Sequence, residues 1–402
     1  MTTPTLTPTP DHRTVDVDAP PAPVRRPPPA RIRRLADCAV ILLFVGGLAV
    51  VGFGTFAREQ PPLNENRDRH PLPPLSAQKH VLQDFPRWFD LYFGDRVGYR
   101  DVLIGWRKDV SYRVFGEPTT NGGWIGRDGW LFLDVADPDR AKPNAPSVDE
   151  RVRRWADALT ERHAALKARG IRYVVLIPPE KSSVYPEHLP GFYARHPPPE
   201  PVAKLAGLLA ERGVPCVNPL TQFLTEKGQT PYPLYYKQDS HWTYDGARAA
   251  YRLLAAAVGG FEPLGDDGFT VTRRAFAGDL GRMVGMPESE WGEPGREWKL
   301  RERVVVREDD PVWAANLPPE AKPPSLPPRA YTCDAAPGPA VVLFRDSFAE
   351  QLVTYLIADC RRCAVVSSES VEWAVVDAER PAVVVQELVA RKLYLQTPAE
   401  KK

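Results

Sequence analysis

An α/β fold built on a doubly wound parallel sheet is predicted by three features of this 402-residue sequence. Apolar runs of strand length recur at Tyr173–Ile177, Val214–Val217, Ala340–Phe344, Ala364–Ser367 and Ala382–Gln386. Helical patterns separate most of them, and continuous apolar runs of this kind belong to strands buried on both faces. The residues with chemical potential fall in the loops around these runs, where doubly wound sheets collect their working groups. The length suffices for one or two domains with a large core. A formal net charge of +1 gives no sign of a nucleic-acid partner, and no internal repeat is visible.

Taken in order, residues 1–34 read as a disordered cytoplasmic tail. Residues 1–30 hold nine of the 45 prolines and almost no large apolar side chains, so they lack the surface to fold. Arg25, Arg26, Arg31, Arg33 and Arg34 precede Cys38–Ala57, a run of twenty residues without a charge. As a helix that run spans ~30 Å, the thickness of a bilayer's hydrocarbon core. A transmembrane anchor is assigned to 35–58, with its N-terminus in the cytoplasm because the arginines lie ahead of it. The run is long for a signal-peptide core and no A-x-A site closes it, so an uncleaved anchor is preferred to a cleaved leader. A polar, proline-rich stalk follows at 59–80, then the main domain at 81–395 and a short tail at 396–402.

Within the main domain, Phe85, Phe89, Tyr92 and Phe93, then Val102, Leu103, Trp106 and Val110, recur at helical spacing and predict two amphipathic helices. Asn121–Leu133 reads as a hairpin turning at Asp128-Gly129. Helices are expected over 149–169, ending at Gly170, over 201–212, ending at Gly213, over 244–258 and over 347–358. Residues 260–338 read as an irregular polar region.

Two loops carry the chemistry. In Asp239-Ser240-His241 the carboxylate and the imidazole are two residues apart, so an extended backbone turns both to one side. The carboxylate can then hold Nδ1 and leave Nε2 free. Ser347 follows the apolar run 340–344 and precedes a helix marked by Phe348, Leu352, Val353 and Leu356, which puts it on a strand-to-helix turn. Each half has a plainer reading, a capped turn for the first and a helix N-cap for the second. Read together, they make Ser347 a candidate nucleophile, His241 its base and Asp239 the orienting group. Cys38 falls in the anchor; Cys216, Cys333, Cys360 and Cys363 lie beyond it, as disulfides or as free thiols. No zinc spacing, glycine-rich phosphate loop, dinucleotide fingerprint or coenzyme A site is apparent, so no cofactor or metal is expected.

These pieces, in this order, resemble the alginate O-acetyltransferase family of the AlgJ/AlgX type. The motifs are Glu65-Asn66-Arg67 in the stalk, Gly126-x-x-Gly129-Trp130-Leu131-Phe132, Pro178-Pro179-x-Lys181 with Tyr185-Pro186, Asp239-Ser240-His241-Trp242, Gly278-Asp279-Leu280 and Asp346-Ser347-Phe348. The resemblance covers roughly residues 60 to 395. It implies an SGNH-hydrolase-like domain in which Ser347, His241 and Asp239 form the triad, and an acetyl group passed through the serine to an exported polysaccharide. A carbohydrate esterase and a non-catalytic polysaccharide-binding scaffold remain open beside this reading. Lys181, Tyr185, Trp242 and Arg345 are candidate substrate or oxyanion contacts, and Trp130 is a further candidate for stacking on sugars. Arg345 stands where the family's serine motif usually has glycine, which would alter the turn or bring a cation to the oxyanion. With the sequence ending at Lys402 and no carbohydrate-binding module in it, the membrane-anchored AlgJ type is expected. One apolar helix cannot conduct acetyl groups across a bilayer. The implied donor is therefore a polytopic membrane-bound O-acyltransferase, with the catalytic domain in the periplasm.

Overall fold

The computed structural model describes residues 30–56, 69–72, 79–111, 114, 123–134, 146–189 and 201–398 except 261, 285, 287, 322, 324 and 396. Most of the expected tail and the Glu65-Asn66-Arg67 motif lie outside the described residues. The chain divides into two compact units, Met1–Leu103 and Ile104–Lys402.

In the first unit a helix runs over Ala30–Phe56. Its Asp37–Phe56 portion has a mean hydropathy of 2.4 and is the one described helix long and apolar enough to cross a membrane. A second helix covers Lys79–Gly94, and a third begins at Arg100 and runs to Val110.

The second unit is organised by a sheet of seven strands. In chain order these are β3 (Arg172–Leu176), β4 (Cys216–Val217), β7 (Arg307–Asp309), β8 (Arg329–Thr332), β9 (Gly338–Arg345), β10 (Cys360–Ser367) and β11 (Val383–Glu387). Outside it, β1 (Gly123–Ile125) pairs with β2 (Leu131–Leu133), and β5 (Phe269–Phe276) with β6 (Glu293–Leu300). The sheet order is β4-β3-β11-β9-β10-β8-β7. The first five strands are mutually parallel; β8 and β7 add antiparallel, so the sheet is mixed instead of wholly parallel.

Period-two alternation along the central strands builds two cores. Val341 and Leu343 of β9 and Val383 and Val385 of β11 pack on one face with residues of the helices Tyr244–Val258 and Ala349–Asp359. Val342, Phe344 and Val384 pack on the other with the helices Val148–Ala168 and Pro201–Glu211. Ser147 caps the first of those helices, its hydroxyl accepting from Glu150 N–H at 3.2 Å, and Gly170 turns the chain back at φ 73°.

The hairpin forms at Asp128-Gly129, where both residues have positive φ. The region expected to be irregular contains the long ribbon β5–β6 and the strands β7 and β8. All but the ends of β5 are exposed, and β6 carries Pro294 and Gly295, so neither displays an apolar run. A short helix at Trp373–Glu379 was likewise not expected. The five cysteines are free thiols in this structure.

Leu343 lies fully buried in a central strand. Leu343→Ala is expected to cost about 2–5 kcal/mol of stability, whereas Val305→Ala, at a residue 63% exposed, should stay within about 0.5 kcal/mol. Denaturant unfolding of the two variants in detergent checks the contrast.

Candidate active site

The loop carrying Asp239 and His241 has almost no regular structure and is held from several sides. Tyr235 and Trp242 form an isolated antiparallel bridge, and Tyr236 N–H donates to His241 C=O at 3.3 Å, which closes the loop at its base. Glu293, at the start of β6, accepts from the N–H groups of Gln238 (2.6 Å) and Lys237 (2.8 Å). Gln238 C=O in turn accepts from Leu280 N–H at 3.1 Å. Here Gly278 passes so close that a Cβ would lie 1.9 Å from the Gln238 oxygen, so this crossing admits only glycine.

From beneath, Lys181 Nζ donates to the carbonyls of Asp239 (2.7 Å), Tyr236 (3.0 Å) and Lys237 (3.1 Å). Its burial pushes the ammonium down to about 7, against the pull of Glu293, Asp239 and Asp279. Lys181 thus serves as a strut for the loop, from below it.

On this support His241 bridges two chain segments. Its Nδ1 lies 2.7 Å from Asp239 Oδ1, and its Nε2 lies 2.8 Å from Ser347 Oγ. Asp239 Oδ1 also accepts from His241 N–H at 2.8 Å, and Oδ2 from Asp279 N–H at 3.1 Å. Burial works against the Asp239 carboxylate, but the hydrogen bonds from His241 and Asp279 outweigh it and hold its pKa below the ordinary carboxylate value. Phe348 packs against the imidazole with centroids 4.8 Å apart.

The serine turn is fixed with equal care. Asp346 Oδ1 accepts from Phe348 N–H at 2.9 Å and Oδ2 from Val389 N–H at 3.0 Å. Asp346 N–H donates to Glu387 Oε2 at 2.9 Å. Glu387 ends β11 fully buried, and its pKa is pushed well up by that burial and by the neighbouring Asp346. The turn bearing Ser347 is thereby stapled to the C-terminal end of the adjacent strand.

The other site candidates are engaged in pairing and packing. Arg345 continues the alternation of β9, is buried, and pairs with Glu350 at 2.8 Å. Its charge is matched there and is not a free cation at the serine. Trp242 is 0% exposed and packs edge-on to Phe223 and Phe348. Tyr185 and Trp130 are also buried, against one another at 4.3 Å, and Tyr185 Oη accepts from Leu234 N–H at 2.9 Å. None of these three rings offers a face to a sugar.

Asp279, Glu293 and Glu387 received no role from the sequence. Gly278-Asp279-Leu280 was visible as a motif, and Asp279 accepts from both Ser240 N–H (2.7 Å) and Ser240 Oγ–H (2.6 Å). The two glutamates had no local signal. Asp239, His241 and Asp279 bring metal-ligand types of atom within 4.8 Å of one another. Those of Asp239 and His241 already hydrogen-bond each other, and both Asp279 oxygens are taken by Ser240.

The unfolded chain keeps Lys181 protonated up to its ordinary 10.5, whereas the folded chain releases that proton near 7. More protons are bound in the unfolded state across that window, so Lys181 makes stability rise with pH there. Lys181→Met should flatten the rise, read as unfolding midpoints at several pH values across it. An unchanged slope would remove the buried lysine from the account.

Comparison with known proteins gives the site its setting. Over 164 residues the chain is 31% identical to the probable alginate O-acetylase AlgJ of Pseudomonas fluorescens, covering 39% of this chain and 38% of that protein. It is 25% identical over 240 residues to the protein of the same name from Pseudomonas syringae, covering 58% and 54%. The matches thus span about half or less of these relatives' length. A solved DHHW family protein from Eubacterium siraeum shares the fold at TM-score 0.52 and 12% identity, over 69% of this chain and 94% of that one. The family model for the SGNH hydrolase-like domain of acetyltransferase AlgX matches residues 124–325, from the β1–β2 hairpin through the Asp239/His241 loop and the β5–β6 ribbon to just beyond β7. With just over half of the chain inside that match, the protein belongs to the AlgX family of SGNH hydrolase-like domains.

Proposed function

We propose that this chain is an O-acetyltransferase that moves an acetyl group through Ser347 onto hydroxyls of an exported, alginate-like polysaccharide. The observation that carries the reading is His241, with one ring nitrogen 2.7 Å from Asp239 and the other 2.8 Å from Ser347. A serine hydroxyl is a weak nucleophile until a neighbouring base takes its proton. As Ser347 Oγ attacks the acetyl carbonyl, His241 Nε2 accepts that proton, and Asp239 holds the tautomer and stabilises the imidazolium. The departing donor group takes the proton back from His241 Nε2, leaving acetyl-Ser347. A sugar hydroxyl then attacks this ester, His241 receives its proton, and the acetylated sugar leaves as Ser347 Oγ regains that proton. The Ser347 N–H, at the start of the helix Ala349–Asp359, is the oxyanion donor in this reading; one such donor is often worth about 3 kcal/mol.

The polysaccharide class follows the relatives' printed name, alginate O-acetylase. The helix containing Asp37–Phe56 acts as a single-pass anchor that leaves the SGNH-like domain in the periplasm. Acetyl groups reach Ser347 from a polytopic membrane-bound O-acyltransferase, because one helix has no protein-lined path for a polar group.

The test is turnover of a chromogenic acetyl ester with and without an acceptor oligosaccharide. Acceptor-dependent release together with acetylated sugar supports transfer. Acetate release alone would indicate an esterase, and no turnover a binding scaffold. Ser347→Ala and His241→Ala should each lower kcat by about six orders of magnitude, and Asp239→Asn by about four, with the fold retained by circular dichroism. Gly278→Ala should also cut turnover in the folded protein, because a Cβ there meets the Gln238 carbonyl next to Asp239. Full activity in Ser347→Ala would overturn the assignment.

A further inference from the structure

The two helices after the apolar segment expose stripes that a soluble protein would cover. On Lys79–Gly94, Phe85, Phe89 and Phe93 stand one turn apart, their rings stacked at successive centroid distances of 6.0 Å, and Phe89 is 45% exposed. On the next helix Val102, Leu103, Trp106 and Val110 fall on one face at helical spacing, with Tyr99 just ahead of it. All five are exposed, Val102 at 63% and Trp106 at 73%. Contiguous exposed apolar surface of this kind marks an interaction site.

The occupant is indicated by where the connection between these helices sits. Gly98 N–H donates to Thr55 Oγ1 at 2.8 Å, one residue from the end of the bilayer-length helix at Phe56. The approach is so close that a Cβ on Gly98 would fall 2.5 Å from the backbone of Val51, Gly54 and Thr55. The adjoining turn is tied down as well, with Asp95 accepting from His70 N–H at 2.9 Å and Arg96 donating to His70 C=O at 3.0 Å. Both stripes therefore start beside the last turn of an apolar helix of spanning length. That is the depth of a bilayer's headgroup region, where tryptophan and tyrosine concentrate and amphipathic helices lie in the plane.

We infer that the stripes of Lys79–Gly94 and Arg100–Val110 seat in the headgroup–acyl boundary of the bilayer that Asp37–Phe56 enters, as an interfacial collar around the anchor. The inference rests on the anchor part of the proposed function and adds a second, in-plane contact with lipid. The test uses the full chain in phosphatidylethanolamine/phosphatidylglycerol vesicles carrying lipid brominated either near the headgroup or near the acyl-chain end. Flotation reports the anchor; the difference in emission between wild type and Trp106→Phe reports Trp106. The expected result is flotation of both proteins and loss of the Trp106 emission with shallow-brominated lipid more than with deep. Flotation with Trp106 emission untouched by either lipid would overturn the collar and leave the anchor standing, and so would quenching by deep bromine alone. Failure to float would overturn both.

Discussion

Strand β9 buries side chains on both of its faces, and the architecture of the second unit depends on that constraint. Val341 and Leu343 need cover on one side, Val342 and Phe344 on the other, so helices must lie on both surfaces, and the flanking strands carry apolar centres at Ala364–Val366 and Val383–Val385. A central strand with parallel neighbours ends where both flanking strands also end. The chain therefore leaves the sheet at its C-terminal residue, and Asp346 and Ser347 are the first residues beyond it. The serine turn inherits its position from packing alone, and its orientation from the two carboxyl groups of Asp346 and Glu387.

The partner loop obeys a different logic. No strand or helix delivers Asp239 and His241. They are carried on irregular backbone whose polar groups need partners wherever water is excluded. Lys181 takes three of the carbonyls, Glu293 two of the N–H groups, and the segment at Gly278–Leu280 one carbonyl and one N–H. A lysine ammonium and a glutamate carboxylate are expensive to bury and are tolerated here because each meets several hydrogen-bonding partners. The result is a rigid loop outside regular secondary structure, which lets the imidazole reach Ser347 without belonging to the sheet.

The first unit shows the same economy. Gly98 lacks a side chain where two backbones meet, and this lets a polar turn pack against the end of a helix that is apolar all round. Exposed aromatic residues beside such a helix are costly in water and favourable at a lipid interface.

Much of this was legible from residue order. The apolar runs and the glycines that end the helices located the parallel strands and their covering helices within a few residues, because two-sided burial leaves an unbroken apolar signal. The Asp-x-His spacing and the strand-to-helix serine singled out the three side chains that meet, because local geometry sets where each one points. The ribbon β5–β6 was not legible, since strands exposed to solvent carry no periodic apolar pattern. Tyr185, Trp130 and Trp242 looked like sugar platforms only because an aromatic residue reads alike in a core and in a cleft. Arg345 looked like a free cation because its partner, Glu350, lies beyond the serine turn, in the first turn of the next helix. The roles of Lys181, Glu293 and Glu387 could come only from the tertiary structure. A buried charge is defined by the groups that surround it, and those groups are supplied by segments tens to hundreds of residues away.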